Sequence, residues 1–121
     1  MIKFVQCVRQ KPDLSIEEFR AKWAEYRAMV KALADRSSAV KFSTSTTLVV
    51  EQNMELMVAR GTRTPYDGIV EIYWQRGADM LAYLAKPGTS EQIDAFRAFQ
   101  ESFIDLSQST FFFTAEDDPS S

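Results

Sequence analysis

The stretch Gly68-Ile69-Val70-Glu71-Ile72-Tyr73-Trp74-Gln75 puts Val70, Ile72 and Trp74 on one side of an extended chain and Ile69, Glu71 and Tyr73 on the other. The stretch reads as a strand that is apolar on both sides. Upstream, residues 2–10 also alternate, with Ile2, Phe4 and Val8 against Lys3, Val5, Cys7 and Arg9, until Lys11-Pro12-Asp13 interrupts. A threonine-rich run from Val40 to Val50 predicts a second strand. Downstream, Thr110–Thr114 holds Phe111-Phe112-Phe113, which must place an aromatic ring on each face.

Helical signals fill the gaps. Ser15 with Glu18 three residues on makes a capping box, and Glu17 favours the first turn. From there Ile16, Phe19, Trp23, Tyr26, Val30 and Leu33 form one apolar stripe, so a helix is expected from about Ile16 to about Ala34. Residues 52–61 read as one helical turn or a folded loop. Ala78–Ala85 reads as a helix with Met80, Leu81 and Leu84 inward, stopped by Lys86-Pro87-Gly88. Thr89 or Ser90 would cap a further helix from Glu91 to Phe103, whose stripe is Ile93, Phe96, Phe99 and Phe103. A tight turn is expected over residues 103–107. The order is β-α-β-β-α-β, the α+β pattern of a ferredoxin-like sandwich with one four-stranded antiparallel sheet.

Helices can cover only one face of such a sheet. Strands apolar on both sides then predict a second copy packed on the bare face, a homodimer enclosing a barrel-like interior.

Composition narrows the chemistry. The 121 residues fit one domain, expected over residues 1–115, with an acidic frayed tail at 116–121. Net charge is −3, so no nucleic-acid partner is expected. No stretch of about 18 apolar residues occurs and no targeting segment is visible, which makes a membrane partner unexpected and the cytoplasm the expected compartment. There is no histidine, which removes the usual neutral-pH base and the commonest metal and haem ligand. The lone Cys7 can form neither an internal disulfide nor a thiolate zinc site. Neither a cofactor nor a metal is expected.

The candidate site residues are therefore carboxylates and aromatics. Glu71, between Val70 and Ile72, is either paired with Arg9 or Lys3 or desolvated and raised in pKa as a pocket acid or base. Trp23 and Tyr26 sit on the core-facing stripe, where a satisfied hydrogen bond or a pocket role would each explain them. Asp67 before Gly68 is a second candidate for proton handling or simple turn chemistry. Tyr73, Trp74 and Asp105 are candidates for shaping a substrate site, with loop capping the plain alternative for Asp105. The pocket could also be filled by the chain's own side chains, nine of which are phenylalanines.

Four segments, in order, resemble EthD-like proteins of the dimeric α+β barrel superfamily. They are residues 1–15 (Met1-Ile2-Lys3-Phe4-Val5 through Leu14-Ser15), Glu18-Phe19-Arg20-Ala21-Lys22-Trp23, Tyr66-Asp67-Gly68-Ile69-Val70-Glu71-Ile72-Tyr73-Trp74, and Phe103-Ile104-Asp105-Leu106-Ser107-Gln108-Ser109. The resemblance implies a ferredoxin-like protomer that dimerises sheet to sheet. EthD itself is linked to degradation of ethyl tert-butyl ether, and similar proteins include decarboxylases and dehydratases of polyketide-type aromatics. More distant barrels include cofactor-free quinone-forming monooxygenases, lactone isomerases and haem-degrading enzymes. Members often carry a histidine on the first helix, where this chain has Tyr26. A phenol of ordinary pKa about 10 would orient a substrate oxygen rather than act as a base. The implied ligand is a hydrophobic aromatic or carbonyl compound. The implied reactions are proton transfer, decarboxylation, dehydration or cofactor-free oxygenation, with a non-catalytic dimer that sequesters an apolar ligand as the alternative.

Overall fold

The computed structural model describes residues 1–117; the last part of the expected tail, residues 118–121, lies outside the described residues. Its elements run β1 (Ile2–Val8), α1 (Ile16–Arg36), β2 (Lys41–Thr46), α2 (Glu51–Arg60), β3 (Gly68–Trp74), α3 (Gly77–Leu84), α4 (Thr89–Glu101), a 3-10 turn (Leu106–Gln108) and β4 (Thr110–Ala115). The strands form one sheet in the order β2-β3-β1-β4, every neighbouring pair antiparallel. This is the ferredoxin-like α+β fold expected from the element order, with β1 and β3 at the centre.

Register assigns the faces. Phe4 pairs with Ile72 and Phe113, and Gln6 with Val70 and Phe111, so these side chains point toward the helices. Lys3 pairs with Tyr73 and Thr114, and Val5 with Glu71 and Phe112, on the open face. The open face is less apolar than the alternation alone suggests. Val5, Cys7, Ile69 and Phe112 form its apolar part, but Lys3, Lys41, Ser43, Ser45, Glu71 and Tyr73 share it. Reading strands singly hides this, because the serines and lysines lie on β2 and β1 and only pairing brings them beside Glu71.

The capping box forms as expected: Ser15 Oγ accepts from the Glu18 N–H, and Glu18 Oε1 accepts from the Ser15 N–H, each at 3.1 Å. Beyond it Phe19, Trp23, Tyr26 and Val30 are buried against the sheet. Phe103 lies at the centre of an aromatic cluster, its ring centroid 5.7 Å from Phe19, 5.5 Å from Tyr26 and 5.5 Å from Phe99. Trp23 packs over the start of β3, where Gly68 leaves room for the indole. A Cβ at residue 68 would meet Trp23 ring carbons at 2.6–2.9 Å.

Several boundaries differ from expectation. β2 ends at Thr46 rather than Val50, because β3 begins only at Gly68; one further bond in register, Thr47 N–H to the Asp67 carbonyl, is the last before the chain leaves the sheet. Residues 51–60 form a full ten-residue helix, closed by Gly61 in the left-handed region (φ 66°). None of its residues is buried, which is why no stripe announces it. The fourth helix starts after Gly88, not at a Thr89 or Ser90 cap; the Thr89 hydroxyl donates instead to the Tyr83 carbonyl at 2.9 Å. On α3 it is Tyr83 that is buried, while Leu81 and Leu84 are exposed. The tail begins pinned, since the Glu116 N–H donates to the Met1 carbonyl.

Gly68→Ala should destabilise by about 1–3 kcal/mol through overpacking against Trp23. Trimming the indole in Gly68→Ala/Trp23→Leu should make the glycine change nearly neutral, read as non-additivity in urea unfolding. An additive pair would show that the close approach does not matter.

Candidate functional site

A cavity of about 660 Å³ lies between the helix face of β1 and β4 and the helices α3 and α4. Phe4, Phe111 and Phe113 form its sheet wall, Met80, Tyr83 and Leu84 the α3 side, and Ile93 and Phe96 the α4 side. Leu33 and Trp74 close one flank, so the walls are overwhelmingly apolar.

The polar groups gather along one line. Gln6, in the centre of β1, is 2 % exposed and faces this cavity. Its Oε1 accepts from the Tyr26 hydroxyl at 2.6 Å, and that hydroxyl accepts in turn from Gln100 Nε2 on α4 at 2.8 Å. Gln6 Nε2 donates no hydrogen bond among the described residues but is no buried orphan, since the buried side-chain polar atom without a partner there is Thr114 Oγ1. The amide edge borders the cavity and can donate to an oxygen that enters it. Burial pushes the Tyr26 phenol up to about 12, against the two glutamine hydrogen bonds that favour ionisation. It is a neutral donor and acceptor at any ordinary pH. Ser109 is internally satisfied, accepting from the Arg9 N–H and donating to the Asp105 carbonyl. Arg97, on the α4 side, is the one charged residue on the wall among the described residues.

The residues singled out from sequence are not gathered in one place. Trp74 lines the cavity, and its indole N–H is shared between the carbonyl and hydroxyl of Ser37. Tyr26 reaches the cavity through its two glutamines, and Trp23 packs one turn away with its ring 6.0 Å from that of Tyr26. Glu71 and Tyr73 stand on the opposite, open face. There Glu71 Oε2 is 3.1 Å from Lys3 Nζ and accepts from the Tyr73 hydroxyl at 3.0 Å. The Lys3 ammonium holds the Glu71 carboxyl below the usual carboxylate range, the opposite direction from a pocket acid. Lys41 joins this cluster over the Tyr73 ring, at 5.1 Å. Asp67 is a turn anchor: its Oδ2 accepts from the Gln10 N–H at 2.8 Å, and it borders a different, smaller cleft of about 430 Å³ beside α2. Asp105 accepts from the Ser107 hydroxyl at 2.6 Å in the loop before β4.

Gln6 and Gln100 escape a search for ionisable groups, yet a signal exists. Ile2, Phe4, Gln6 and Val8 share a face, and a glutamine in that series is a polar group sent into the core. Among the described residues no group of three or more His, Cys, Asp or Glu side chains is placed to hold a metal ion.

Sheet order and cavity together define a ferredoxin-like α+β protein with a ligand-sized space between its two layers. Solved structures share this fold. A dimeric ferredoxin-like protein of unknown function from Bacteroides fragilis superposes with TM-score 0.64 at 10 % identity, covering 95 % of both chains. One from Thermobifida fusca gives 0.61 at 12 % identity, covering 95 % of this chain and 90 % of that one. SnoaB, a cofactor-independent oxygenase from Streptomyces nogalater, gives 0.53 at 15 % identity, covering 97 % and 93 %. No curated protein matches the sequence. The EthD domain profile matches residues 11–107, and the chain belongs to the EthD family.

Tyr26→Phe should strand the Gln6 carbonyl and the Gln100 amide, lowering unfolding free energy by about 1–3 kcal/mol in urea with the fold retained. An alkaline absorbance titration should show one tyrosine ionising near pH 12 in the parent and not in this variant. A phenol titrating near 10 that vanishes with the substitution would contradict the buried hydrogen-bonded placement.

Proposed function

We propose that this EthD-family chain is a small-molecule enzyme acting on a hydrophobic aromatic or carbonyl compound in the cavity between the sheet and α3–α4. The observation that carries the reading is the Gln6 side chain, 2 % exposed and held by the Tyr26 hydroxyl, at the polar end of an otherwise apolar space. Proton transfer next to a carbonyl, decarboxylation, dehydration and cofactor-free oxygenation share one demand: negative charge grows on a substrate oxygen. A fixed N–H donor on a largely apolar wall stabilises that charge more than the starting carbonyl or phenol. Tyr26, held by Gln100, keeps the Gln6 amide in place, so it orients that amide rather than the substrate oxygen the resemblance implied. Acidity must come from the substrate, because no carboxylate among the described residues lines the cavity. Glu71 and Asp67, whose partners lie elsewhere, are given no proton-handling part here.

That same lack of a carboxylate favours a second reading, a non-catalytic protein that binds or sequesters an apolar ligand. Naphthols, hydroxyquinones and aryl 1,3-diketones, followed by absorbance and oxygen consumption, separate the two. Catalysis predicts turnover of at least one, reduced by about tenfold or more in Gln6→Leu and in the apolar pair Gln6→Leu/Tyr26→Phe. Stoichiometric binding without conversion would select the second reading. Binding by none, or indifference to both variants, would remove the cavity from function.

The assembly proposed is a homodimer joined through the open sheet face, supported by the relatives described as dimeric and by Phe112, 39 % exposed beside Val5. Phe112→Asp should convert the dimer to monomer in light scattering at micromolar concentration. A parent chain that is monomeric there would refute the pairing.

A further inference from the structure

Arg97 is out of character with the rest of the cavity wall. Ile93, Phe96, Arg97 and Gln100 fall at i, i+3, i+4 and i+7 on α4, so all four turn toward the same space. The apolar pair covers the wall, Gln100 joins the buried hydrogen-bond chain, and Arg97 stands at its solvent end with a side chain 73 % exposed. Its partner is Glu101, which takes only the Nε edge, at 3.4 Å. Both terminal Nη groups have no acceptor among the described residues. A guanidinium presenting two parallel donors suits a carboxylate, which it can grip with both oxygens.

Resting on the proposed small-molecule reading, we infer that the ligand is a compact aromatic acid. Its carboxylate pairs with Arg97 at the mouth, and a second oxygen accepts from Gln6 Nε2 within. Size supports compactness. The cavity holds about 660 Å³, room for a fused ring system rather than a long chain. Charge supports the acid. The wall carries one positive group and no negative one among the described residues, so the only negative charge an anion meets at Arg97 is the Glu101 carboxylate beside it. The acid must displace or share Arg97 with Glu101, a weak exposed pair that sets up a competition.

The test is a fluorescence titration with three probes: 6-hydroxy-2-naphthoate, its methyl ester, and 2-naphthoate. In the parent the hydroxy acid should bind tightest. Arg97→Gln should weaken both acids by about threefold to fivefold and leave the ester unchanged, the effect of one exposed ion pair. Glu101→Gln, which releases the guanidinium, should tighten both acids by about twofold. Raising the salt concentration should weaken the acids and not the ester. Both changed residues are exposed on α4, so folding is not at stake. Ester and acid binding equally well, with neither variant mattering, would overturn the acid inference while leaving the cavity reading intact. If none of the three binds, the cavity reading fails and this inference falls with it.

Discussion

The Tyr26 hydroxyl donates to Gln6 on β1 and accepts from Gln100 on α4, so three elements distant in sequence meet at one oxygen. The junction lies beside an aromatic cluster in which Phe96, Phe99 and Phe103 all pack around the same ring, Phe99 stacked parallel with centroids 6.2 Å apart. A water-free setting strengthens each hydrogen bond and makes each unmatched group costlier. Loss of the phenol would leave the α1–β1–α4 seam without its polar lock. The cavity depends on that lock, because the helix that forms its outer wall is α4 and the strand that forms its floor is β1. Phe96 and Phe99 of α4 pack on the Tyr26 ring, and the Gln100 bond adds a directional contact that fixes the height of α4 over β1.

The polar end of the cavity therefore works through neutral amides and a phenol held in its protonated state. That arrangement differs from the open face, where Lys3, Glu71, Tyr73 and Lys41 form an ionic group in contact with solvent in the protomer. Lys3 lowers the Glu71 carboxyl, so the pair contributes fully above the ordinary carboxylate range and its contribution fades as pH falls through the lowered value. The two faces of one sheet thus differ in kind: ionic pairing on the open face, and uncharged hydrogen bonding between the Tyr26 hydroxyl and the two glutamines on the helix face.

Much of the fold was legible because hydrophobic period and capping agreed. The alternation of residues 68–74, the stripe from Phe19 to Val30 and the Ser15–Glu18 box each pointed to the same element that forms. α2 was legible only as one helical turn or a folded loop, since Met54, Leu56 and Val58 are exposed and Met57 is only half-buried. The face of Glu71 depended on strand pairing, which a single strand cannot reveal. Tyr26 and Trp74 could be singled out as aromatics with a polar handle on an apolar stripe. Gln6 and Gln100 could not be found by looking for charge; their meaning arises only when β1 and α4 are brought to one phenol. Whether nine phenylalanines fill or merely line an interior is a question of volume, and the spacing of letters holds no volume.

The helix between β2 and β3 has no side chain in the core, and both its ends run into exposed loop. Inserting or deleting residues there would shift neither the sheet register nor the α1–β1–α4 seam. Divergence within such a scaffold should gather between residues 51 and 63, inside the Thr47 and Tyr66 anchors, and a peptide tag grafted at Gly61 would ride on a segment that contributes nothing to the cavity's lining.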